Sequence, residues 1–239
     1  MAERTPLLQF KAASLVPPDQ PASRFENVSL TLEAGAAAVV QTAFAADFHE
    51  EQFDYFPLAD AAQGLLPCGP GQVLFDGRDW ADMPPLEQAR ARGRIGRLFE
   101  FHGWVYNLSV LENLILAVQT HGRGDGQPEA EALAMARRFG LAAIPEGRPV
   151  TLRKRELRLF EWIRAFLGRP ELIIVERPEL DMPRLALSVC FDLAREARER
   201  GAAILLITHE VDIVERAVKT GASPYGVRGR TLYAGGVER

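Results

Sequence analysis

The sequence predicts an α/β fold built on a parallel sheet, and three observations carry that prediction. Residues 172–175 (Leu, Ile, Ile, Val) form an unbroken apolar run between Pro170 and Pro178, the pattern of a strand covered on both faces. Residues 203–207 repeat the pattern. Between such runs lie stretches with helical spacing, such as Leu159, Phe160, Ile163, Phe166 and Leu167. With 239 residues, 47% hydrophobic and 25% charged, the chain can bury a sizeable core. Its net charge of −4 gives no basic face, so nucleic acid is not expected as a partner. Cys68 and Cys190 are too few for a disulfide framework or a metal cage, and no metal is expected. Apolar runs such as 36–40 fall far short of the roughly 20 residues of a membrane span. The reading is a cytoplasmic chain that docks on a membrane protein.

In order, 7–11 and 28–32 read as strands, separated by a loop at 16–23 carrying Pro17, Pro18 and Pro21. Gly35 turns the chain into a short buried strand at 36–40. Residues 41–56 are rich in Ala, Phe and acidic side chains, with His49 and no glycine. A helix at 57–66, a turn at 67–71 and a strand at 73–75 follow, then a helix at 84–92 and a strand at 95–99. Ser109 and Glu112, three apart before an apolar run, form a capping box for a helix burying Val110, Leu111, Leu114, Ile115 and Val118. A second helix spans 128–139 and is ended by Gly140; a third starts near Arg153. Beyond the central strand, Pro183 is placed in the first turn of a helix that Gly201 stops. The strand at 203–207, a helix at 210–219 and a strand at 231–234 complete the chain.

Laid out in this order, the chain resembles the nucleotide-binding subunit of ATP-binding-cassette (ABC) transporters over nearly its whole length. The stretches that carry the resemblance are LTLEAG, GQVLFDGRDW, IGRLFEFHGWVYNLSVLENL, IRAFLGRPELIIVERPELD and AAILLITHEVD. VLFDG and the helical part look most like the subunits of bacterial lipid transporters associated with Mce proteins. The resemblance implies a P-loop-NTPase-like (RecA-like) core sheet with an N-terminal antiparallel part and an inserted helical lobe. It implies one domain over 1–239, with a core lobe at about 1–104 and 168–239 and a helical lobe at about 105–167.

The same resemblance marks phosphate-handling positions, and the chain departs from the family pattern at most of them. A phosphate loop needs glycines for close backbone approach, a Lys and a Ser or Thr. Gln41, Ala46, Asp47 and Phe48 stand in its place. The magnesium-associated Asp aligns with Glu176, and the water-activating Glu aligns with Arg177, whose guanidinium cannot act as a general base. The signature becomes Leu152, Arg153, Lys154, Arg155 and Glu156. The glutamine of the family aligns with Glu100, and Phe101, Trp104 and Tyr106 follow it where the permease docks. Only His209 and Asp181 stand as the family has them. The plainer readings are a local ion pair between Glu176 and Arg177, a helix-capping His209, a solvated helix end at Arg153 to Arg155, and core aromatics at Trp104 and Tyr106.

The expectation is a degenerate, non-hydrolysing cassette, a pseudo-ATPase on the cytoplasmic face of the inner membrane. It would be the structural or regulatory partner of an integral membrane permease in a membrane transport system, with lipid as the cargo the resemblance suggests, as a homodimer or a heterodimer with another ABC subunit. No cofactor is expected. The alternative is a working ATPase with atypical motifs using ATP and Mg, alone or with an intact partner. A small-molecule enzyme using Glu176 or His209 ranks behind both, since no nucleophile or glycine-rich cofactor loop supports it.

Overall fold

The computed structural model describes residues 5–18, 24–42, 56–101, 103–124 and 126–235. Strands β1 (Leu8–Leu15), β2 (Phe25–Leu32), β4 (Gln72–Phe75) and β5 (Arg78–Asp79) form an antiparallel sheet in the order β2-β1-β4-β5. The second sheet has six strands: β3 (Ala37–Gln41), β6 (Ile95–Leu98), β7 (Leu172–Glu176), β8 (Ala203–Thr208), β9 (Ser223–Arg228) and β10 (Thr231–Ala234), in the order β10-β9-β3-β8-β7-β6. All its neighbours are parallel except the β10–β9 edge pair.

Every residue of β7 and β8 is buried, because both faces of the sheet are covered. Side chains alternate along the strands: Leu172 and Ile174 join the antiparallel sheet in one core, while Ile173 and Val175 face helices α6 (Ala186–Glu199) and α7 (Val211–Lys219) in another. A third core gathers α3 (Val110–His121), α4 (Pro128–Arg138) and α5 (Lys154–Phe166) with Trp104. Helix α5 lies on β6 at Gly96, where an added Cβ would meet the Ala165 carbonyl oxygen at 1.9 Å.

The capping box is present: Ser109 Oγ accepts from the Glu112 N–H (3.2 Å) and Glu112 Oε2 from the Ser109 N–H (2.7 Å). Leu111 of this helix is only half-buried, while the polar Asn113 is buried and bonded to Val105, Leu108 and Ser109. Helix α1 is shorter than its predicted stretch and spans Leu58–Ala62; α2 spans Pro85–Arg92. Pro183 lies before α6 rather than in its first turn, its carbonyl accepting from the Ala186 N–H at 2.8 Å.

Strand β9 is absent from the sequence reading because Ser223, Pro224 and Gly226 break the apolar pattern. Pro224 is tolerated at the end of the β9–β10 ladder, where its carbonyl still accepts from the Gly235 N–H at 2.9 Å. Gly226 lies under Tyr233, whose hydroxyl oxygen would stand 2.4 Å from any Cβ there. Among the described residues no helix is long and apolar enough to cross a membrane.

Candidate functional site

Parallel strands bring their carboxyl ends to one edge, where open α/β sheets place their ligands. Strand β7 ends there in Glu176, flanked by the chain leaving β6 at Glu100 and the chain leaving β8 at His209.

Glu176 is not paired with Arg177, so the expected local ion pair is corrected. Its carboxylate takes two bonds from Arg97, Nε to Oε2 at 2.7 Å and Nη2 to Oε1 at 3.1 Å. Arg97 Nη1 also donates to Gln63 Oε1 at 2.9 Å and to the Asp60 carboxylate, stitching α1 to the strand ends. The side chains of Arg97 and Glu176 are 8% and 10% exposed. Burial pushes the Glu176 carboxyl above its ordinary value, and the Arg97 bonds pull it back only in part.

Arg177 turns into the left-handed region at φ 45°. Its Nη1 donates to Glu100 Oε1 at 3.0 Å, its Nε lies 3.5 Å from Glu179 Oε1, and its Nη2 lies 3.5 Å from His209 Nε2. Glu179 is oriented by Thr208, whose Oγ1 donates to Glu179 Oε2 at 3.0 Å and accepts from the Glu210 N–H at 3.1 Å. Thr208, and not His209, thus bonds the N–H at the start of α7. His209 Nε2 stands 3.3 Å from Glu210 Oε1. Asp181 is half-buried at φ 54° in the turn after β7.

The inserted helices reach the same edge through Arg158 of α5, which is wholly buried. Its Nη2 donates to the Glu176 and Arg177 carbonyls (2.9 and 2.6 Å) and its Nη1 to the Phe99 carbonyl (2.6 Å) and Glu161 (3.0 Å). Glu161 in turn accepts from Trp104 Nε1 at 2.6 Å. Residues 157–163 are buried without interruption, so α5 is enclosed all round and its charged pair must be satisfied inside.

Of the signature-equivalent residues, Leu152 is half-buried, while Arg153, Lys154, Arg155 and Glu156 are exposed at the start of α5. Glu156 Oε2 accepts from the Arg153 N–H at 3.0 Å. Gln41 is half-buried at the end of β3; Ala46, Asp47 and Phe48, like His49, lie outside the described residues. Trp104 and Tyr106 separate: Trp104 is a core residue, 6% exposed, whereas Tyr106 and Phe101 are 57% and 71% exposed, with Val105 beside them.

At β7 Glu176 is committed to Arg97, and the guanidinium of the next residue, Arg177, is held by Glu100. Sequence reasoning missed Arg97, Asp60, Arg158, Glu161, Glu179 and Thr208. Arg97 carried a readable signal, since a charge inside the apolar strand IGRLF requires a buried partner.

No family model matches the chain. The chain is 27% identical over 148 residues to the lipoprotein-releasing system ATP-binding protein LolD of Shewanella denitrificans, covering 61% of this chain and 64% of the relative. It is 30% identical over 129 residues to LolD of a Jannaschia species, covering 54% of this chain and 57% of that relative. The methionine import ATP-binding protein MetN 3 of Pseudomonas fluorescens is 27% identical over 168 residues, 70% of this chain and 51% of the relative. The chain thus spans less than two thirds of the length of these curated relatives. Among solved structures, an ATP-binding subunit of an ABC transporter superposes with a TM-score of 0.79 at 22% identity, covering 96% of this chain and 89% of that one. The dimeric cassette MJ0796 bound to ADP and Pi gives 0.78 at 17% identity, covering 97% and 99%. The chain has the fold of the ATP-binding cassettes of ABC transporters, and in sequence it is similar to ATP-binding proteins such as LolD and MetN.

Proposed function

We propose that the chain is a nucleotide-independent cassette, the structural or regulatory subunit of a membrane transport complex, seated on the cytoplasmic face of the inner membrane. The observation that carries this reading is the carboxyl end of β7. A general base needs a free carboxylate there, and the chain offers one carboxylate bound twice by Arg97, followed by a guanidinium that cannot accept a proton. Docking falls to the surface after β6, where Phe101, Val105 and Tyr106 are exposed beside the buried Trp104–Glu161 bond. An integral membrane permease is the partner this surface suits, with a second cassette subunit, identical or different, completing a dimer. The core lobe at 1–104 and 168–239 supplies the sealed edge, and the helical lobe at 105–167 supplies α5. Lipid or lipoprotein cargo is suggested by relatives named for lipoprotein release, and the Mce-type system is the narrower form of that suggestion.

The test is calorimetry with ATP and magnesium plus a phosphate-release assay, on the chain alone and on the complex with its permease. No heat of binding and no turnover are expected. Turnover that disappears in Glu176→Gln would overturn the proposal. The second reading, an ATPase with atypical motifs, is favoured by the ATP-binding names of the relatives, and the same assay with an intact partner cassette decides it.

A further inference from the structure

We infer that the permease segment seated on the surface after β6 carries an Asp or Glu among apolar residues, and that the guanidinium of Arg164 receives that carboxylate. The inference rests on the docking reading above and gives it a chemistry. Arg164 lies on α5, in the turn after Glu161. Its Nη1 donates to the Gly103 carbonyl, and its guanidinium stands 4.9 Å from the centre of the Trp104 ring. Nη2 is enclosed and meets no acceptor among the described residues. The cation is thus attached to the segment that exposes Phe101, Val105 and Tyr106.

This cation has no carboxylate of its own among the described residues. Glu161 accepts from Trp104 Nε1 at Oε1 and from Arg158 Nη1 at Oε2, and Glu100, at the head of the same segment, is bonded to Arg177. Two guanidinium groups of α5 therefore share one carboxylate, and one positive charge is left over. Burial works against the Arg164 charge, and the attraction of Glu161 is opposed by the repulsion of Arg158. A partly desolvated guanidinium without a counter-charge gains most from a carboxylate, which its planar fork takes through two parallel bonds. Gly103 keeps the approach clear: it is exposed, and a Cβ there would stand 3.0 Å from the Phe99 ring and 3.4 Å from Nη2, so any side chain would crowd the guanidinium. The surface also discriminates. Cytoplasmic loops of membrane proteins are rich in Lys and Arg, which an unpaired cation repels, so an acidic residue among apolar ones marks one segment out.

The test is a double-mutant cycle on the chain and its permease, with association followed by pull-down titration. Arg164→Gln should weaken association by more than about tenfold. Arg164→Met, which keeps an unbranched stem against the Trp104 ring, is run in parallel so that a lost fold in one variant does not decide the outcome. Each Asp and Glu of the permease's cytoplasmic loops is then changed to Asn or Gln. One of these changes should cost about the same factor against the unaltered chain and less than about twofold further against the Arg164 variants, because neutralising either partner removes the same bond. The inference is overturned if both variants bind the permease as the unaltered chain does, or if every loop neutralisation adds in full to their loss. It is also overturned if the variants change self-association of the chain alone, which would make a second copy the occupant. An unaltered chain that binds no permease would sink the docking reading itself, a result distinct from equal binding by the unaltered chain and both variants.

Discussion

The edge at the end of β7 and the surface after Glu100 lie far apart in sequence, are joined by the Arg177–Glu100 bond, and are built on opposite terms. At the edge, Glu176, Arg97 and Arg158 are buried and engaged by two or more hydrogen bonds each. On the surface, Phe101, Val105 and Tyr106 leave apolar area open to solvent. The contrast separates a side whose polar groups are tied inward from a side with apolar area available for contact, and on the proposed reading the first is a structural joint and the second the docking face.

Breaking the sealed side should have the largest effect. Arg158→Ala strands Glu161 and frees three carbonyls, and should destabilise the fold by about 3–5 kcal/mol in a denaturant titration. Arg97→Leu leaves Glu176 and Asp60 without their cation and should cost about 3 kcal/mol, with much of the loss recovered in Arg97→Leu/Glu176→Leu. Failure of the double variant to recover would show that packing rather than charge dominates there.

Altering the open side should separate binding from stability. Phe101→Ser with Tyr106→Ser should change unfolding free energy by no more than about 0.5 kcal/mol. The same pair should weaken permease association by more than about tenfold, read by pull-down titration. Thiol chemistry gives a smaller contrast of the same kind. Cys190 is buried and its thiol pushed far up by burial, so Ellman's reagent should reach it only on unfolding; Cys68 is partly exposed and should react first.

The smallest effect is on pH dependence. Arg138 holds the Glu196 carboxyl below its ordinary value, so the stability it contributes is present above about pH 4.3, the unfolded value, and is lost as pH falls through the folded one. Arg138→Gln should flatten that acid limb in melts across pH. Glu176 has the opposite sign: raised by burial, it favours the fold below about pH 4.3 and loses that contribution as pH rises through its folded value.

Much of the fold was legible because its rules are local. The runs at 172–175 and 203–207 became fully buried strands, and Ser109 with Glu112 capped α3. Strand β9 escaped because its stability comes from neighbours on both sides rather than from its own residues. The site was legible as a place, at the carboxyl end of β7, and illegible as a set of bonds. Glu176 and Arg177 look like a pair on paper, yet the left-handed turn at Arg177 sends its side chain away to Glu100. Arg158 and Glu161 went unnoticed because helical spacing says nothing about a helix enclosed on every side. The basic residues Arg153, Lys154 and Arg155, by contrast, are exposed where a solvated helix end was one of the readings.

The Trp104 indole, Glu161, Arg158 and the last carbonyls of β7 form one unbroken relay of short bonds. The segment bearing Trp104 is therefore tied to the end of the strand through two charged side chains of one helix turn, a direct path of hydrogen bonds rather than packing alone.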